Sequence, residues 1–179
     1  HALAVQLASE PGTTVVCAPG NPGIARDVPV APLDASDPDA VLELAERIAA
    51  DLTVIGPEGP LASGVADRFI QAGRPIFGPT RAAAQLETSK AFAKAVMHRY
   101  GVPTAASIVC ETAAEAMHAL AAGALGWPVV VKADGLAAGK GVMVCDNRDE
   151  ALAAVERIAG TKEFGEAGNQ LVIEERLVG

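Results

Sequence analysis

Between Val129 and Cys145 the chain reads VVVKADGLAAGKGVMVC. A lysine, Lys132, lies in a β-branched run, and a Gly/Ala-rich stretch with a second lysine, Lys140, leads into another such run. Gly and Ala let backbone approach an anion closely, and successive N–H groups can form an anion-holding nest. The segment is not a Walker A loop. Gly135 and Gly139 are one residue too close for GxxxxGK, and Lys140 is followed by Gly141 rather than by a hydroxyl residue able to hold Mg²⁺. A P-loop also opens a helix, whereas strand-forming residues continue here. The expected element is a strand–loop–strand hairpin. Its tip (Gly135, Leu136, Ala137, Ala138, Gly139, Lys140, Gly141) would cover a polyphosphate, with Lys132 held rigidly beneath it. Taken alone, a Gly-rich hairpin with solvated lysines is an equally good reading, because short motifs misfire often.

Around this loop the composition sets limits. The chain has 179 residues, 50% hydrophobic and 20% charged, enough for one ordinary domain or two small ones. Aromatics are only 3%, so the core is built from Ala, Val, Leu and Ile. A net charge of −8 with no basic face argues against a nucleic-acid partner. No apolar stretch reaches membrane-spanning length and no signal peptide is visible, so a cytoplasmic setting is expected. Cys17, Cys110 and Cys145 are far apart and lack CxxC spacing, which argues against a zinc site. Cys17 and Cys145 fall in apolar runs and read as buried thiols.

The elements that must position the loop alternate in the first half. A helix is expected over His1–Ser9, a strand over Thr14–Ala18 ended by Pro19-Gly20-Asn21-Pro22-Gly23, and a helix capped by Asp37 with Val41, Leu44, Ala45 and Ile48 on one face. A short buried strand at Leu52–Ile55, a Gly56–Pro60 loop, a helix over Leu61–Gln71 and a strand at Pro75–Phe77 follow. This spacing predicts a parallel sheet. In the second half, Thr88 or Ser89 starts a helix to about Tyr100. Ser107–Val109, Trp127–Ala133, Val142–Cys145 and Leu171–Glu174 read as strands, Thr112–Ala122 as a helix, and Asn147 or Asp149 as the start of a helix to Ile158. The division between the halves falls near Gln85–Ser89. Both ends of the chain read as cut, since the strand expected before the first helix would precede His1.

VVVKADGLAAGKGV, with QLETSKAFAKAVMHRYGVPTA (Gln85 to Ala105) and VIEERLVG (Val172 to Gly179), resembles the ATP-grasp fold. The likeness is closer to one family within it, the phosphoribosylamine–glycine ligases. HALAVQLA resembles the end of that family's GGREHALA motif. APGNPG (Ala18 to Gly23), VIGPEGPLASGVAD (Val54 to Asp67) and GPTRAAAQLE (Gly78 to Glu87) resemble its substrate-domain loops and the run into its ATP domain. The resemblance implies an α/β chain: an N-terminal parallel-sheet, Rossmann-like, pre-ATP-grasp domain over 1–86, then the first part of an ATP-grasp α+β domain over 87–179, with a lid subdomain over 104–175.

It also implies residue roles. Lys90 and Lys132 would be the two phosphate-contacting lysines, and Gly135 to Gly141 the lid. Glu174, Glu175 and Leu177 would border the adenine, largely through backbone groups; Arg176 departs from an often aromatic position. His1, Asn21, Gly56, Pro57 and Glu58 would help hold phosphoribosylamine. The implied reaction joins glycine to phosphoribosylamine with ATP and Mg²⁺ or Mn²⁺. The metal's Glu and Asn ligands, and the acidic residue that holds the ATP ribose, would lie beyond Gly179, so these 179 residues alone are expected to be inactive. Small molecules, and neither nucleic acid nor membrane, are the expected partners. Another ATP-grasp ligase or carboxylase, or a non-catalytic nucleotide-binding module, are the alternatives.

Outside that resemblance, Lys90 and Lys94 read as helix-surface lysines, Glu58 as a rigid loop tip, and Glu174-Glu175 as a solvated edge pair. His98 and His118 have no paired ligand and receive no role.

Overall fold

The computed structural model describes residues 1–137, 140–160 and 164–177, apart from the side chains of 166 and 167. The chain divides into two compact units, His1–Ala82 and Ala83–Gly179.

The first unit is an α/β layer built on short strands. Helix α1 spans Ala2–Ala8 and α2 spans Pro38–Arg47. Asp37 caps α2 by accepting from the backbone N–H of Asp39 and Ala40, and Pro38 stands where no donor is needed. Strands β1 (Thr53–Val54) and β2 (Ile76–Phe77) pair in parallel, with Thr53 opposite Ile76 and Val54 opposite Phe77. Helices α3 (Glu58–Ser63) and α4 (Val65–Gln71) form the connection. Val41, Leu42 and Ala45 of α2 bury against Val65 and Phe69 of α4, with Ile55 and Ile76 alongside.

Four expectations are corrected here. Thr14–Ala18 does not form a strand; a single parallel bridge joins Cys17 to Val30. Its backbone bonds are Cys17 N to Pro29 O and Ala31 N to Cys17 O, so the β-branched residues before Cys17 have no ladder. The predicted Leu61–Gln71 helix is broken at Gly64, whose φ of +95° suits glycine and ends α3. Glu58 is not a loop tip but opens α3, because Pro60 in a first turn loses no hydrogen bond. Ile48 and Leu52 are exposed rather than buried: α2 has already ended at Arg47, and Leu52 precedes β1.

The second unit is an antiparallel sheet backed by helices. Helix α5 (Arg81–Thr88) leads into α6 (Lys90–Tyr100), capped by Ser89 and ended by left-handed Gly101. Then come β3 (Ser107–Cys110), α7 (Ala113–Ala122), β4 (Val129–Ala133), β5 (Val142–Cys145), α8 (Arg148–Val155) with a π turn over Glu156–Gly160, and β6 (Leu171–Glu175). The strand order is β3-β6-β4-β5, every pair antiparallel.

Strand alternation splits the sheet into two faces. Val129, Val131, Ala133, Leu171 and Ile173 pack onto α7 and α8 through Ala116, Leu120, Ala151 and Val155. Lys132, Val130, Val172 and Glu174 occupy the other face. Cys110 and Cys145 are buried in this core, and burial pushes both thiols up; Cys17 is only half-buried, contrary to expectation.

Candidate nucleotide site

Hairpin β4–β5 carries the glycine loop, as its sequence predicts. Val129 faces Cys145 and Lys132 faces Val142, and Gly141 O accepts from Ala133 N at 2.8 Å where the loop begins. Gly141 is needed by contact: a Cβ there would stand 2.6 Å from Ala137 Cβ and 3.0 Å from Ala133 Cβ. Lys140 N donates to Ala137 O, and the Lys140 side chain is exposed. Ala138 and Gly139 lie outside the described residues.

Lys132 sits on the face of β4 turned away from α7 and α8. Its Nζ lies 2.7 Å from Glu174 Oε2, diagonally across to β6. Glu174 is 7% exposed, so it is neither a solvated edge charge nor merely a backbone neighbour. Its other oxygen lies 3.5 Å from Lys94 Nζ on α6. Lys94, read from sequence as a surface lysine, is 8% exposed and also donates to Thr104 Oγ1 and Ala105 O. Buried charges persist only when paired, and here each has a partner.

Lys90 reaches the same region from the first turn of α6. Its Nζ donates to Asp134 O at 3.2 Å and Gly135 O at 3.1 Å. Burial holds its ammonium below the ordinary lysine range and the nearby Lys132 charge adds to this, while Asp134, Glu87 and Glu174 oppose it. Asp134 ties the helix to the loop. Its carboxylate accepts from Ala91 N at 2.6 Å and from Ser89 Oγ at 3.0 and 3.2 Å. Ser89 Oγ in turn accepts from Phe92 N.

Glu175 Oε1 accepts from Ala106 N, and its own N–H donates to Ala106 O, so this side chain holds the β3 flank. Leu177 is exposed. Arg176 pairs with Asp146 at 3.0 Å. The structure therefore brings Lys90, Lys132, Gly135 and Glu174 to one end of the sheet. Lys94, Thr104, Ser89 and Asp134 belong with them and were missed. An acidic residue directly before Gly135 was the one available signal.

In the first unit, His1 Nε2 lies 2.6 Å from Asp27 Oδ2. Asn21 Oδ1 accepts from Gly23 N and Ile24 N, fixing the turn after Cys17. Gly56, Pro57 and exposed Glu58 lie past the carboxyl end of β1. Among the described residues there is no cluster of three or more His, Cys, Asp or Glu side chains fit for a metal, and no helix long and apolar enough to cross a membrane.

An antiparallel sheet with a glycine-rich hairpin, a lysine on its β4 strand and a second lysine brought to the loop start by a capped helix, is the arrangement of an ATP-grasp domain. Residues 88–179 match the phosphoribosylglycinamide synthetase ATP-grasp (A) domain, and residues 1–87 the N domain of the same synthetase. The chain belongs to the phosphoribosylglycinamide synthetase family. It is 50% identical over 180 residues to the phosphoribosylamine–glycine ligase of Ralstonia nicotianae, covering 100% of this chain and 42% of the relative. The crystal structure of the Thermotoga maritima ligase superposes with a TM-score of 0.73 at 30% identity, over 94% of this chain and 39% of that one. The biotin carboxylase domain of Hydrogenobacter thermophilus 2-oxoglutarate carboxylase, in complex with MgADP and bicarbonate, shares the fold, with a TM-score of 0.75 at 22% identity over 98% of this chain and 42% of that chain. The chain thus spans well under half the length of these relatives.

Proposed function

We propose that this chain supplies the N domain and the opening part of the ATP-grasp domain of a phosphoribosylamine–glycine ligase, an ATP-dependent carbon–nitrogen ligase of purine synthesis. The convergence of Lys90 and Lys132 at the start of the glycine loop carries this reading, because two ammonium groups with loop N–H donors match an oligophosphate. In the proposed reaction ATP phosphorylates the glycine carboxylate, giving glycyl phosphate and ADP. The amine of phosphoribosylamine then attacks the acyl carbon, phosphate leaves with the C–O bond electrons, and the new amide nitrogen loses a proton. Lys90 and Lys132 bind and orient the phosphates and stabilise charge on the transferred group. The loop, residues 135–141, excludes water that would hydrolyse the acyl phosphate. Glu174, Glu175 and Leu177 border the adenine.

We assign His1, Asn21, Gly56, Pro57 and Glu58 to phosphoribosylamine. The ordered Asn21 turn and the placement of Gly56–Glu58 past a parallel strand's carboxyl end support this, since ligands bind at that edge in open α/β sheets. A divalent ion, Mg²⁺ or Mn²⁺, would neutralise phosphate charge when bound. Beside the lysines, Asp134 and Glu174 are already engaged, and no cluster of three candidate ligands occurs among the described residues, so those residues do not by themselves make up its site. A cytoplasmic setting goes with this reading.

The test is product formation by the full-length protein. Glycine, phosphoribosylamine and MgATP should yield glycinamide ribonucleotide with one ADP and one phosphate each, and Lys132→Met should abolish turnover. ADP release that ignores glycine would overturn the assignment. The 179 residues alone should form no product.

A further inference from the structure

We propose that Lys94 is a positioning residue for the nucleotide: by sharing Glu174 with Lys132, it keeps the Lys132 ammonium anchored yet only partly neutralised. This rests on the ATP reading of the site.

Lys94 cannot itself be a ligand group. An ammonium has three donors. Two of those of Lys94 go to Thr104 Oγ1 at 2.8 Å and Ala105 O at 2.9 Å, its charge faces Glu174 Oε1 at 3.5 Å, and its side chain is 9% exposed. The ammonium is engaged inside the protein. Lys132 differs: Glu174 Oε2 is its one hydrogen-bond partner among the described residues, and its side chain is 23% exposed. It keeps donors for a phosphate oxygen.

Glu174 is the link. Its two oxygens go to two different lysines, so its single negative charge is divided between them. Without Lys94, that charge would fall wholly on Lys132 in a partly buried site. Both carboxylate oxygens would compete with phosphate for the same ammonium, and the local charge would drop by one. Lys94 therefore sets the field at Lys132 from the far side of β6.

The experiment measures MgATP affinity by calorimetry, KM for ATP, kcat and thermal stability on the full-length protein. Lys94→Met should weaken ATP binding about tenfold, as expected for losing one unit charge at short range in a partly screened site. KM for ATP should rise more than kcat falls. The double variant Lys94→Met with Glu174→Gln removes both charges and leaves an amide oxygen for Lys132. It should bind ATP more tightly than Lys94→Met while its melting temperature stays lowered, since Thr104 and Ala105 remain without their donor. Lys94→Arg, which keeps the charge, should stay within about threefold of wild type. A double variant that binds no better than Lys94→Met would overturn the proposal, as would an unchanged Kd in Lys94→Met or a loss in Lys94→Arg equal to that in Lys94→Met. A wild-type protein that binds no ATP would instead overturn the nucleotide reading itself.

Discussion

Asp134 offers a direct test of how the lysine pair is assembled. It leaves β4 at the loop's first bend and caps α6, accepting from Ala91 N at 2.6 Å and Ser89 Oγ at 3.0 Å. Its backbone carbonyl receives Lys90 N and Lys90 Nζ. One residue thus joins the strand that carries Lys132 to the helix that carries Lys90. Asp134→Ala removes a charge-assisted bond at a helix start. Such bonds contribute about 1.5–3 kcal/mol net, and Asp134 is half-buried, so a loss of about 2 kcal/mol is expected. In a unit of this size that lowers the melting temperature by roughly 10 °C. Asp134→Asn keeps an acceptor and should lose about half as much. Ser89→Ala should cost about 1 kcal/mol as a lost cap. The Asp134→Ala/Ser89→Ala double should cost less than the sum, since the two share one bond. Urea unfolding followed by the fluorescence of Trp127, which is partly exposed just ahead of β4, reads this unit. MgATP affinity should fall in parallel, as Lys90 loses its fixed carbonyl partners. Stability of Asp134→Ala within about 0.5 kcal/mol of wild type, or strict additivity with Ser89→Ala, would refute the reasoning.

Two further outcomes follow from the same region. Gly141→Ala forces its new Cβ onto Ala137 and Ala133, so about 1–3 kcal/mol should be lost in the same urea experiment, and Ala137→Gly in that background should recover most of it. Lys90 has its pKa lowered from the ordinary 10.5, chiefly by burial, so between the folded and ordinary values the unfolded chain binds more protons. Its contribution to stability is then fullest above 10.5 and disappears as pH falls through the folded value; Lys90→Met should lack this alkaline rise, and acetic anhydride should acylate Lys90 at lower pH than it does an exposed lysine such as Lys140.

Features fixed by local chemistry were legible in the sequence. Asp37 caps its helix as read, and Ser89 and Asn147 are the caps chosen from Thr88 or Ser89 and Asn147 or Asp149, because a cap needs only neighbouring N–H groups. The β4–β5 hairpin was legible because its two β-branched runs flank a loop that no helix could accommodate. Features that depend on a distant partner were not. Thr14–Ala18 has strand composition but meets a neighbour only at Cys17. Lys94 lies a turn from Lys90 on α6, and only β6, far along the chain, shows which of the two is buried. The Lys132 reading came from its place on a strand beside the glycine loop and the Lys90 reading from family likeness, whereas Glu174's contact with two lysines required the strand register.

The place of β6 in the sheet bears on how the molecule is made. β6, the last of the described strands, is inserted between β3 and β4, so neither of those strands has its inner neighbour until Leu171–Glu175 exists. On the ribosome, β3 and the β4–β5 hairpin emerge early with Val131 and Val129 still uncovered on that side. Unpaired apolar edges of this kind are templates for wrong strand pairing. Closure of the sheet waits on contacts of long sequence separation, which slows it. A nascent chain stalled before Leu171 therefore leaves the inner edges of both β3 and β4 unpaired.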